Sequence, residues 1–371
     1  MRLLVIDRGI TLGSPEGHQA IPFHMYGREL KEQLGLTVDQ VTAWKPAEVE
    51  AAVRERPADV ALVLLDWALS PREAAEACDR MRAIPNGPRI AFMDHLDPIG
   101  SPFLEVAEHV DCYVKRQHLA DPALYLKDYQ GGHPFTHFLA ETMGYDLGGW
   151  FFASKPGPTF ADKLTTSWNL GVTPRYRSRL RVARRLRGLW RFRPFAIHQR
   201  FSPMPVPGKK REWYEQYRDK AAEILRPLAS RYRMTGTGRV DHRVYLAELC
   251  ASKVVVSPFG WGEVCFRDYE TVVTGGLLVK PNMDHVVTRP NIYKAFETYV
   301  PVKWDLSDLV ETCEYYLTHP KESMRIIANA QDALTDYYEK GGFVEDVQRL
   351  IEVATRPRVG EAVSTPAPPQ S

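Results

Sequence analysis

Glu263, Arg267, Glu270 and Thr274 fall at i, i+4, i+7 and i+11, so a helix through them carries two carboxylates, a guanidinium and a hydroxyl on one face. Just before them stands Ser257-Pro258-Phe259-Gly260-Trp261-Gly262, a Pro/Gly turn that exposes backbone N–H groups. A turn of this kind at the positive end of a helix dipole suits a phosphate or another anion. The chemistry on offer is capture of an anionic ligand by the turn, with the helix carboxylates beside it. The same spacing also fits an ordinary solvated stripe, with Glu263 and Arg267 as an i,i+4 pair.

The elements that must position these groups are readable on either side. A β-branched run over 253–256 leads in, a helix starts at Glu263, and Gly275-Gly276 opens a second apolar strand up to Pro281. Val264, Tyr269, Val272 and Val273 occupy the inward face of that helix.

This stretch resembles the nucleotide-sugar site in the second half of GT-B glycosyltransferases, in particular their group-1-like and exostosin-like branches. Those proteins carry a Ser-Pro-x-Gly turn, an Arg-x-x-Glu helix and an Ala/Thr-Gly-Gly turn. Here the three are Ser257-Pro258-Phe259-Gly260, Arg267-Asp268-Tyr269-Glu270 and Thr274-Gly275-Gly276. The resemblance implies that Glu270 holds the donor ribose hydroxyls and that the backbone from Gly260 to Glu263, including Gly262, faces the diphosphate. Many members space two glutamates eight apart, whereas Glu263 and Glu270 are seven apart. It further implies basic groups for the phosphates after the first strand of the second half, where Arg200, Lys209 and Lys210 stand, and a reaction that needs no bound metal.

In the first half, apolar runs over 3–6, 58–65, 90–93 and 111–115 alternate with helical spacing over 26–34, 46–56, 71–84 and 103–109, with a further strand over 37–41. That alternation predicts a parallel, doubly wound sheet. Gly9, Gly13 and Gly17 follow the first strand, either as room for a substrate or as a tight connection. Ligands of such sheets collect beyond the carboxyl ends of the strands. The 90–93 run leads directly into Asp94-His95-Leu96-Asp97, which makes Asp94 and His95 the candidates for the base that takes a proton from an attacking hydroxyl. Capping the next turn is the competing role for Asp94 and Asp97.

His118, His133 and His137 lie among aromatics and glycines, with Glu141 the one acid at helical distance from His137. The spacing is irregular and no metal is expected. Residues 174–194 hold nine arginines, interleaved with Leu180, Leu186, Leu189 and Trp190 and interrupted by no acid. Such a segment suits the interface of an anionic membrane or the grip of an acidic acceptor, with Arg181, Arg184, Arg185, Arg187 and Trp190 as contacts. A solvated linker helix is the plainer alternative, and specific nucleic-acid binding is not expected.

Length and charge set the frame. At 371 residues the chain calls for two domains, and a net charge of +2 implies no polyanion partner for the whole molecule. Five scattered cysteines read as reduced thiols of a cytoplasmic protein, and no apolar run reaches the roughly 18 residues of a membrane span. The expected organisation is an acceptor half at 1–170, an Arg-rich linker at 171–194, a donor half at 195–355 and a disordered tail at 356–371. The expected activity is transfer of a sugar from a nucleotide-sugar donor to a hydroxyl of a glycan or glycolipid in surface polysaccharide or lipopolysaccharide assembly, on the inner face of the membrane.

Overall fold

The computed structural model describes residues 1–9, 17–201 and 210–358. Gly13, Lys209 and the tail beyond 358 lie outside the described residues. In chain order the first half comprises β1 (Arg2–Asp7), α1 (Gly17–Leu34), β2 (Thr37–Thr42), α2 (Pro46–Glu55), β3 (Val60–Val63), α3 (Pro71–Arg82), β4 (Arg89–Asp94), β5 (Cys112–Lys115), β6 (Gln117–Leu119), α4 (Pro134–Met143), α5 (Phe160–Lys163) and β7 (Leu164–Thr166). The second comprises α6 (Pro174–Arg185), β8 (Phe195–His198), α7 (Trp213–Leu225), α8 (His242–Cys250), β9 (Ser252–Val256), α9 (Phe266–Thr274), β10 (Leu277–Pro281), β11 (Val286–Thr288), β12 (Val300–Val302), α10 (Leu309–Thr318), α11 (Pro320–Glu339) and α12 (Gly342–Ala354).

The fully apolar runs at β3 and β4 form central strands of a six-stranded sheet in the order β2-β1-β3-β4-β5-β7, every pair parallel. The order reverses between β1 and β3, which opens a crevice at their carboxyl ends. The second sheet, β12-β10-β9-β8, is also parallel. An antiparallel pair, β6 with β11, ties the two halves together through Gln117–Leu119 and Val286–Thr288. Helix α12 leaves the second half and lies on β4, β5 and β7, where Phe343 packs against Phe23, Tyr26 and Trp168.

Several elements differ from the periodicity. Helix α1 starts at Gly17 and runs through Pro22, because Ala20 and Phe23 are buried under α12 and Trp168. The 103–109 helix is a 3-10 turn, Leu104–His109. Helix α7 stops at Leu225, and a 3-10 turn, Arg226–Ser230, takes over one residue before Pro227. The first part of the expected disordered tail is tied down: Arg356 donates to the Asp162 carbonyl at 2.8 Å and Arg358 forks onto Asp111 at 2.7 and 2.8 Å.

The most consequential difference is at α9. The spacing predicts a helix from Glu263, but Cys265 is its N-cap and Phe266 its first residue. The Asp268 carboxylate accepts from Cys265 N at 3.1 Å and from Ser257 Oγ at 2.6 Å, which closes the helix start three residues later. Glu263 is therefore released into the turn and leaves the stripe of Arg267, Glu270 and Thr274.

Candidate functional site

A cavity of about 880 Å³ opens between α9, α8 and the start of α6, with His18 and Ile21 of α1 on the wall from the first half. Three of the predicted donor residues, Arg200, Arg267 and Glu270, line it. Glu270 is 7% exposed, and Tyr245 Oη donates to its Oε2 at 2.9 Å. Burial pushes the Glu270 carboxyl upward, against Tyr245, His242 and the nearby guanidinium groups. Arg267 is held by Ser257 Oγ and the Arg200 carbonyl, both at 3.3 Å, while Arg200 forks onto Glu248 at 2.8 Å on each oxygen.

Arg175, Arg179, Arg239, His242 and Tyr245 complete the wall and were not singled out by sequence as ligand-binding groups. Arg175 and Arg179 sit on α6 inside the arginine segment, where nothing local separates a pocket arginine from a solvated one. Their i,i+4 spacing is the one signal available. Asp241 caps α8 by accepting from Arg243 N at 2.8 Å, and this start of the helix aims His242 and Tyr245 at Glu270. Chemically, the cavity offers a carboxylate acceptor for ribose-type hydroxyls, the guanidinium groups of Arg175, Arg179, Arg239 and Arg267 for a diphosphate, with Arg200 already paired to Glu248, and the N-terminal end of α9.

The remaining predicted donor residues lie elsewhere. Ser257 is fully buried and spends its hydroxyl on Asp268. Gly262 is a glycine for a steric reason, since a Cβ there would collide with the Asp97 carbonyl, while Gly260 lies against the end of the Arg218 side chain. Arg218, also absent from the sequence candidates, donates to the Phe259 carbonyl at 3.2 Å behind the turn. Thr274 and Gly275 end α9 on the side away from the cavity: Thr274 Oγ1 donates to the Glu270 carbonyl at 2.7 Å, and Gly275 is the left-handed cap at φ 75°. Glu263, 1% exposed, reaches the first half, where its Oε2 accepts from Ile99 N at 2.9 Å and its Oε1 lies 3.5 Å from His133 Nδ1. Burial pushes the Glu263 carboxyl up to about 7 and the His133 imidazole down to about 3.

Asp94 is 1% exposed at the end of β4 and is bound by Tyr113 Oη at 2.7 Å and Lys115 Nζ at 3.0 Å. Burial opposes its charge, yet Lys115 and Tyr113 outweigh burial and hold the carboxyl below its usual range. Its position makes it the counter-ion of a buried lysine and turns it away from any opening. His95, 7% exposed, borders Arg8, Trp44 and Asp66 at the strand ends. Lys210 is at the surface, paired with Asp146 at 2.9 Å.

The arginine segment divides in two. Trp190, expected at a membrane interface, is 2% exposed and donates from Nε1 to the Lys253 carbonyl at 3.0 Å, so it belongs to the core. Arg184 and Arg187 pair with Asp332 of α11 at 3.1 and 2.9 Å. Arg181 and Arg185 are exposed. Among the described residues no group of three or more His, Cys, Asp or Glu side chains is placed to hold a metal ion; His118 bonds Thr166 Oγ1 at 2.7 Å instead.

No family model and no curated protein matches the sequence. Solved structures do resemble the chain. An alpha-glucosyltransferase in complex with UDP-glucose and DNA containing an abasic site aligns with a TM-score of 0.50 at 8% identity, over 96% of this chain and 99% of that one. A glycosyltransferase from Rickettsia africae ESF-5 aligns with a TM-score of 0.50 at 10% identity over the same 96% and 99%. Anabaena Alr3699/HepE in complex with UDP-glucose gives 0.46 at 13% identity over 95% and 99%. The fold is GT-B, two Rossmann-like halves facing each other across a cleft.

Proposed function

We propose that the protein is a glycosyltransferase that moves a sugar from a nucleoside-diphosphate donor to a hydroxyl of a glycan or glycolipid, in assembly of a surface polysaccharide or lipopolysaccharide. The observation that carries this reading is the 880 Å³ cavity with Glu270, Tyr245 and Arg267 at the start of α9. Glu270 takes the ribose hydroxyls, and Arg200, Arg267 and the α6 arginines take the diphosphate without a metal. In this reading the six-stranded sheet with α12 laid on it forms the acceptor half, with His95 at its strand ends and His18 on the cavity wall, and the β12-β10-β9-β8 sheet with α6 packed on α9 and α11 forms the donor half.

The fold neighbour solved with UDP-glucose supports the choice of donor class. The proposed location is cytoplasmic and peripheral to the membrane; among the described residues no helix is long and apolar enough to cross one. The test is thermal unfolding with nucleoside diphosphates. A bound nucleotide at 100 times its Kd stabilises by about 2.7 kcal/mol, and a flat response to UDP, GDP, ADP and dTDP overturns the reading. Acceptors follow by assaying transfer to glycans, glycolipids and DNA side by side, with transfer to DNA alone contradicting the proposed acceptor.

A further inference from the structure

Helix α6 and the 3-10 turn after it, Arg187–Phe192, leave Val182, Leu186, Leu189 and Phe192 between 49% and 68% exposed. Val182 on α6, Leu186 at its C-cap and Leu189 in the turn line one groove together and so form one stripe. The stripe is one wall of a groove of about 440 Å³ whose other wall is Leu246 of α8 and Val273 of α9. Arg179 and Arg193 line it, the exposed Arg181, Arg185 and Arg191 are chain neighbours of its apolar residues, and no acid occurs between 174 and 194. Among the described residues nothing covers this face: Tyr176, Leu180 and Trp190 already supply the buried side of the segment, and Arg184 and Arg187 are spent on Asp332.

We infer that this face seats the protein on an anionic bilayer, the groove taking one hydrocarbon chain of a membrane lipid while Arg181, Arg185 and Arg191 meet the headgroup phosphates. The charge argues for this occupant. An apolar stripe on a segment whose only charges are cations matches a surface that is hydrocarbon beneath and anionic above. Guanidinium groups suit phosphate oxygens, and arginine side chains can lay their aliphatic stems along apolar surface while the head stays in water. The residues involved differ from those the sequence alone suggests: Trp190, Arg184 and Arg187 take no part.

The inference rests on the peripheral location proposed above and is independent of sugar transfer. Its test is flotation with phosphatidylcholine vesicles, with and without phosphatidylglycerol, across a salt series. Cys250, an exposed thiol on the groove wall, carries an environment-sensitive maleimide dye as a second readout. The wild type is expected to bind only the anionic vesicles, to keep a salt-resistant fraction, and to shift the dye emission to the blue. Changing Arg181, Arg185 and Arg191 together to Gln should weaken binding by roughly 100-fold. Leu186→Asn with Leu189→Asn should remove the salt-resistant fraction and the dye shift.

Each variant is checked for an unchanged unfolding temperature, and UDP protection is measured in parallel. Retained UDP protection without binding to anionic vesicles overturns this inference alone. Vesicle binding without UDP protection overturns the donor reading alone. Binding that ignores the leucine pair, or self-association through this face in place of vesicle binding, also overturns the inference.

Discussion

Tyr245 Oη donates a hydrogen bond to Glu270 Oε2 at 2.9 Å, joining α8 to α9 at the floor of the large cavity. The bond fixes the rotamer of Glu270, the one carboxylate on that wall among the described residues, and leaves its second oxygen for a ligand. Glu270→Ala should weaken nucleotide-sugar binding by about 1.5–3 kcal/mol, the worth of hydrogen bonds to a charged group. Tyr245→Phe should cost about 0.5–1.5 kcal/mol. Calorimetric titration with UDP-glucose checks both, and unchanged affinity in Glu270→Ala removes the ribose assignment.

Glu263 sets a pH dependence of stability. Its folded pKa, raised by burial to about 7 from 4.5, means the native state holds a proton that the unfolded chain has already released. The contribution is full below about 4.5, declines as pH rises, and is gone above about 7. Measured against Glu263→Gln, the wild type should lose stability on the order of 3 kcal/mol across that window. The buried His133, held down near 3, slopes the opposite way below its ordinary range and lies against Glu263, so the comparison with the Gln variant reads the two groups as a pair. Urea midpoints at matched pH values check it, and parallel curves for the two proteins contradict the buried placement.

Asp94→Ala should act on stability. It strips the fully buried Lys115 of its counter-ion, a change that costs about 3–5 kcal/mol. Chemical denaturation measures the loss. A stable Asp94→Ala protein with turnover lowered by about 10²–10⁴-fold would return Asp94 to the role of base.

Trp190→Ala should destabilise by about 3–5 kcal/mol, as truncation of a core aromatic does. Urea unfolding reads this directly. Full stability combined with lost vesicle binding would move the side chain to the surface, against its 2% exposure.

Local pattern was sufficient for much of this molecule. The apolar run over 58–65 and the strand-turn-helix-strand of 253–281 are written in residues within a few positions of one another, and β-branched runs separated by helical spacing pack in one way, as parallel sheets. Glu270 was legible for the same reason, since its neighbours Arg267, Tyr269 and Val273 define its helix face locally. Tertiary structure alone decided the rest. Glu263 binds Ile99, 164 residues away, and a carboxylate on that turn could equally have stayed on the helix until Asp268 capped it. The nine arginines look alike in sequence, yet contacts from α8, α9 and α11 send Arg175 and Arg179 to the cavity, Arg184 and Arg187 to Asp332, and Arg181 and Arg185 to the surface. Periodicity fixes which side of an element a residue is on, but burial, partner and charge state come from groups that only folding brings near.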